Sequence, residues 1–193
     1  MDEPERPTPS RCARCLLLPR WCLCAEVPLV ETRTRVVIVR HYSEVTRSSN
    51  SGRLAGLALP NSEIIDHGAP GSAPVHIDGE NAKLLFPGGE PLCADNAPAR
   101  LIVLDATWSQ VRRMRRRVRG VAGLPTVCIP AVPTDGPRLR ASPGEGRVST
   151  LEAIAHALGV IEGADVRNAL LHLFALAVER SRAAGRRFDR DPA

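Results

Sequence analysis

The run Leu101-Ile102-Val103-Leu104 is apolar at successive positions, a pattern that suits a strand whose sheet is covered on both faces. A half-exposed antiparallel sheet would alternate instead, so the run favours a mostly parallel sheet with helices on either side. The rest of the chain keeps that rhythm. Short β-branched or apolar runs stand at Arg35 to Val39, Glu63 to Asp66, Lys83 to Phe86 and Thr126 to Ile129. Helical patterns fall between and after them, at Glu44 to Leu59, Trp108 to Arg119, Thr150 to Val160 and Asp165 to Ala184. The expected fold is α/β, a mostly parallel sheet sandwiched by helices. Open sheets of this kind bind ligands in the crevice beyond the carboxyl ends of their strands. Those ends here carry Phe86-Pro87-Gly88-Gly89 and Asp105-Ala106-Thr107-Trp108.

Ahead of the first strand, Cys12, Cys15, Cys22 and Cys24 place four thiols within thirteen residues. Their spacing suits a closed tetrahedral site for a structural Zn²⁺. An iron–sulfur cluster stays open, because spacing does not choose between thiophilic metals. Cys93 and Cys128 stand alone and read as small buried hydrophobes. The chain shows no charged segment followed by an apolar leader, and its longest apolar run, Ala169 to Val178, is broken by His172 and is about half the roughly 20 residues of a membrane span. A cytoplasmic protein with no membrane role is expected, its cysteines binding metal rather than pairing. The domain plan expected from composition is a disordered tail at 1–10, a zinc knuckle at 11–30, an α/β catalytic domain at 31–185 and a second disordered tail at 186–193.

At the end of Leu101 to Leu104, an acid, a hydroxyl and an indole emerge together before a helix. Asp105, Thr107 and Trp108 can be a catalytic turn, or an ordinary helix cap with an inward tryptophan. The helix that follows carries six arginines, Arg112, Arg113, Arg115, Arg116, Arg117 and Arg119, and no acid. Val111, Met114, Val118 and Val121 form its one apolar stripe. With no carboxylate at the third or fourth neighbour, those guanidinium groups repel one another until an anion arrives, and phosphate is the natural one. The overall charge of +5 agrees in sign, but Lys83 is the only lysine, so a general preference for Arg explains part of it. Placement on one helix is the stronger sign of nucleic acid.

Ser149-Thr150-Leu151-Glu152 matches a capping box, which accounts for it fully. A helix N-terminus also suits the carboxylate of an amino-acid ligand. The preceding Pro143-Gly144-Glu145-Gly146 reads as a loop around an adenosine. After the first strand, His41 and Glu44 precede Arg47-Ser48-Ser49-Asn50-Ser51-Gly52, a polar cluster that fits either a ligand or a turn.

In their order these segments resemble the DTW-domain family, related to the SPOUT class of RNA-modifying enzymes. The resemblance runs from Cys-x-x-Cys and Cys-x-Cys, through His41-x-x-Glu44 with its Ser-Asn-Ser-Gly stretch, to Phe86-Pro87-Gly88, Asp105-x-Thr107-Trp108 and Ser149-Thr150-x-Glu152-Ala153. Ala106 stands where that family often has Gly, Tyr42 where Pro usually follows the His, and Ser51 where Thr precedes the Gly. None of these removes a reactive side chain.

The resemblance implies a SPOUT-like fold, and whether its chain is knotted is not readable from periodicity. It also implies transfer of the 3-amino-3-carboxypropyl group of S-adenosylmethionine to the imino nitrogen of a tRNA uridine. Under that reading Asp105, Thr107 and Trp108 are catalytic: Asp105 orients or deprotonates the uracil, and Trp108 stacks on it or walls off the methyl group. Phe86, Pro87, Gly88, Leu104, Ser149, Thr150 and Glu152 bind the cofactor. Arg112, Arg115, Arg116, Arg119, His41, Glu44, Arg47 and Asn50 contact RNA, and Cys12, Cys15, Cys22 and Cys24 hold the metal. A methyltransferase with the same pocket and a non-catalytic zinc-bearing RNA-binding module are the competing expectations.

Overall fold

The computed structural model describes residues 11–130, 139 and 148–185. The two tails and the loop at Pro143 to Gly146, named above from the sequence, lie outside the described residues. Five parallel strands form one sheet in the order β2-β1-β4-β3-β5: β1 Arg35–His41, β2 Ser62–His67, β3 Ala82–Pro91, β4 Arg100–Asp105 and β5 Thr126–Cys128. The α-helices are α1 Ser51–Ala58, α2 Trp108–Arg117, α3 Thr150–Ile161 and α4 Ala164–Ala183. A parallel sheet flanked by helices is the expected architecture, and β4, the run that implied it, lies in the middle.

Alternation along the central strands divides the core in two. Val36, Ile38, Leu101 and Val103 meet Leu54, Ile154, Leu158, Leu170 and Phe174 of α1, α3 and α4. Val37, Val39, Ile102 and Leu104 meet Val111, Met114, Val118 and Val121 on and after α2. The stripe read on the arginine helix is thus its packing face, and Val118 and Val121 are each 1% exposed. The cysteine-rich segment packs on the first of these layers, with Cys15, Leu17 and Leu23 inside that core.

Two boundaries differ from the sequence expectation. The helix expected from Glu44 begins only at Ser51, because Asn50 accepts from the Arg53 N–H and starts α1 there. Upstream, Tyr42–Glu44 makes only a short 3-10 turn, capped by the His41 side chain, which accepts from the Ser43 N–H. The strand expected to stop at Phe86 continues to Pro91 through an irregularity between Leu85 and Glu90. Pro87 and Gly88, expected beyond the strand end, sit within that bulge, where a missing ladder donor is tolerated. Among the described residues no helix is long and apolar enough to cross a membrane.

Candidate functional site

β1 and β4 lie side by side at the centre of the sheet, with β2 beyond one and β3 beyond the other. Their carboxyl ends make the switch point at which open sheets take ligands. Asp105 closes β4 there and turns toward α1 and α3, opposite in facing to Leu104. It is 4% exposed. Asn50 Nδ2 donates to its Oδ2 at 2.6 Å, and Thr150 Oγ1 donates to its Oδ1 at 2.6 Å. One carboxylate thereby joins the loop after β1, the end of β4 and the start of α3. Gly52 is required by the same closeness, since a Cβ there would lie 2.4 Å from Asp105 Oδ2. Gly52→Ala is expected to cost about 1–3 kcal/mol in a urea melt, as overpacking does. An unchanged midpoint would show that the carboxylate can yield.

Beside Asp105 a cleft of about 280 Å³ opens between the ends of β3, β4 and β5 and the N-termini of α2 and α3. That volume is near the lower bound for small-ligand pockets. Phe86, Pro87, Leu104, Ser149 and Thr150, which the resemblance assigned to the cofactor, are in its wall together with Trp108. Gly88 and Glu152 are outside it. Gly88 is exposed on the bulge, and Glu152 completes the capping box by accepting from the Ser149 N–H at 2.8 Å. The Glu152 N–H returns a bond to Ser149 Oγ, and the Leu151 N–H donates to Ser51 Oγ at 3.3 Å. These α3 amides are engaged within the chain. Asp105 is not in the wall, although its neighbours Leu104 and Ala106 and its partner Thr150 are.

Trp108 meets Phe86 edge-on, with ring centroids 6.2 Å apart. The Arg115 guanidinium lies 4.6 Å from the same Phe86 ring centroid. Arg115 therefore belongs to the side of the cleft as well as to the arginine face. Arg112, Arg113, Arg116, Arg117 and Arg119 are exposed, and among the described residues none of the six arginines has an ion-pair partner. The loop after β1 is less open than expected. Glu44 and Asn50 are 1% and 2% exposed, Glu44 faces Arg47 at 3.6 Å, and Asn50 bonds Asp105 and the Arg53 N–H. Both are occupied with the loop's own structure, because a buried carboxylate or amide needs internal partners. Arg47 and His41 remain partly exposed.

Sequence reading missed Gln110. Its Oε1 accepts from the Thr107 N–H at 3.0 Å and from Thr107 Oγ1 at 2.7 Å, while its Nε2 reaches His41 Nδ1 at 3.3 Å and Ser43 Oγ at 3.2 Å. The signal was present, since Thr107-x-x-Gln110 has the spacing of a capping box. Burial lowers the His41 pKa, and His67 and Arg113 lower it further, against the opposite pull of Glu44.

Against the same core layer as α1, the four thiol sulfurs lie within 4.8 Å of one another. Cys12 and Cys24 are 3.6 Å apart, and Cys15 and Cys22 3.7 Å. Tetrahedral Zn–S bonds of about 2.3 Å imply S···S separations of roughly 3.8 Å, so the cluster fits such an ion. The backbone amides of Cys15 and Arg14 hold the Cys12 thiol down to about 6, while burial and neighbouring thiols push Cys24 up to about 12.

Cleft and switch point together define an open-sheet α/β protein with a cavity at its strand ends, where such sheets take ligands. Within that class it belongs to the DTW-domain family, whose model matches residues 9–182. The chain is similar to tRNA-uridine aminocarboxypropyltransferase 2 of Drosophila melanogaster, at 24% identity over 176 residues that cover 83% of this chain and 69% of that protein. No solved structure matches it.

Proposed function

We propose that this chain is a SPOUT-related, cytoplasmic tRNA-modifying enzyme that transfers the 3-amino-3-carboxypropyl group of S-adenosylmethionine to the imino nitrogen of a tRNA uridine. The observation that carries this reading is the shared wall at Phe86, where an apolar cleft large enough to start enclosing a cofactor meets Trp108 on one side and Arg115 on the other. In the reaction the uridine nitrogen forms a bond to the methionine side-chain carbon next to sulfur. The carbon–sulfur bond breaks toward sulfur, the imino proton leaves, and methylthioadenosine departs.

A sulfonium activates three carbons, so the protein's task is to aim one of them. Phe86, Pro87 and Leu104 offer an apolar bed for the adenosyl part, and Trp108 is placed to wall off the methyl group or stack on the uracil, a contact worth about 1–3 kcal/mol. Asp105 is suited to orientation: with Asn50 on one oxygen and Thr150 on the other, it fixes the turn that carries Thr107 and Trp108. The Cys₄ cluster would hold Zn²⁺ as a scaffold beside the RNA.

The deciding measurement is mass spectrometry of nucleosides from tRNA incubated with the protein and S-adenosylmethionine. An aminocarboxypropyl-uridine with methylthioadenosine is expected. A methylated nucleoside with S-adenosylhomocysteine would make the chain a methyltransferase, and no product despite tRNA binding would leave an RNA-binding module. For the RNA face, the double change Arg112→Ala and Arg116→Ala is expected to raise the KM for tRNA about tenfold and reduce the slope of log affinity against log salt by about two. An unaltered slope would move the RNA surface off α2. Arg115→Ala should in addition weaken cofactor binding, because it uncovers Phe86.

A further inference from the structure

The hydrogen-bond chain from Thr107 to His41 has a polarity that can be read bond by bond. A backbone N–H only donates, so the Gln110 atom 3.0 Å from the Thr107 N–H is its carbonyl oxygen. The other end of that amide is therefore the NH₂ group, which faces His41 Nδ1 and Ser43 Oγ. Independently, the Ser43 N–H donates to His41 Nδ1 at 3.3 Å, and Ser43 Oγ lies 2.8 Å from the same atom. Two obligatory donors on one ring nitrogen leave no room there for a proton. The neutral ring must carry its proton on Nε2.

Among the described residues Nε2 has no hydrogen-bond partner. Gly68 borders that side of the ring, where a Cβ would sit in ordinary contact at 3.9 Å from Nε2. The charged and titratable groups around the ring are Tyr42 and Glu44 on its own loop, His67 at the end of β2 and Arg113 on α2. Burial, His67 and Arg113 all disfavour the charged ring. Protonation would also place a hydrogen on Nδ1 against the Ser43 and Gln110 donors. The site is thus built to keep an uncharged donor next to a helix that already supplies six cations. A neutral N–H suits a neutral acceptor.

We propose that Gln110 and Ser43 are positioning residues that hold His41 as a fixed Nε2–H donor to a base carbonyl of the RNA substrate. This rests on the RNA reading above but is independent of the transfer chemistry.

The test uses the full chain, unmodified tRNA and fluorescence anisotropy. His41→Asn keeps an acceptor where Nδ1 stands and deletes the Nε2 donor, whereas His41→Gln reaches the Nε2 position with an N–H. Loss of one such bond is expected to weaken binding about tenfold in the Asn variant, with the Gln variant restored to within about threefold of wild type. A role confined to capping the turn predicts the reverse order, and that result, or wild-type affinity in both variants, overturns the proposal. Nitrogen NMR of the imidazole gives the second reading. Nδ1 should be bare and Nε2 protonated at neutral pH, and Gln110→Glu, which cannot donate, should raise the pH at which the ring charges. A proton on Nδ1 in the wild type would also refute it. A protein that binds tRNA in this way yet transfers nothing would sink the transfer chemistry and leave the His41 donor standing.

Discussion

Asp105→Asn is expected to reduce single-turnover transfer by about 100-fold, what a misplacement of about 1 Å in a positioned group can cost, while tRNA affinity stays within about threefold. The carboxylate accepts from two donors that reach it from different elements, Asn50 and Thr150. An amide can accept on one side only. Its NH₂ group would face Thr150 Oγ1, a hydroxyl that can turn to accept, so two bonds to a charged acceptor become neutral ones at a cost of about 1 kcal/mol. That cost should appear as a lower urea midpoint. The activity loss follows because the turn bearing Thr107 and Trp108 is anchored through this residue. Thr150→Val, which removes one donor but little volume, should lose less activity in the same direction. Full turnover in Asp105→Asn would remove residue 105 from both chemistry and organisation.

Metal removal should have the second large effect. The purified chain is expected to contain one zinc per molecule and no visible-light chromophore, and stripping the metal should lower Tm by roughly 6–12 °C. That figure takes a loss of about 3 kcal/mol, well below the binding energy of isolated zinc peptides, at about 2–4 °C per kcal/mol for a chain of this size. The knuckle is tied into the body. Leu17 and Leu23 lie in the main core, Arg180 of α4 donates to the Cys22 carbonyl at 3.1 Å and pairs with Glu26, and Arg53 of α1 donates to the Arg14 carbonyl at 3.4 Å. Losing the ion would loosen contacts on α1 and α4 together. An unmoved Tm after complete stripping, checked by metal analysis, would rule out a structural metal.

What the sequence made legible is what local periodicity encodes. The unbroken apolar run of β4 announced a covered sheet, the spacing of Val111, Met114 and Val118 announced which side of α2 is buried, and Ser149 with Glu152 announced a helix start. The crevice at the strand ends followed from those. Long-range side-chain pairing was not legible. Nothing near Glu44 or Asn50 says that each will be buried with an internal partner, and a row of arginines does not reveal that Arg115 alone will lie over Phe86. The bulge in β3 was hidden because Pro87-Gly88 reads equally as a strand end. Gln110 was hidden only by attention to the acid and indole beside it.

The two facings of β4 make the site a matter of odd and even. Leu104 points to one side of the sheet and Asp105 to the other, and β4 is locked in register to β1 on one flank and β3 on the other. Deleting a single residue between Leu101 and Val103 would turn both to the opposite face, the carboxylate toward the Met114 side and Leu104 toward the side of α1 and α3. Insertions are better absorbed at the β3 bulge, where the pairing already slips. Length changes in relatives of this chain should therefore gather there and spare the middle strand.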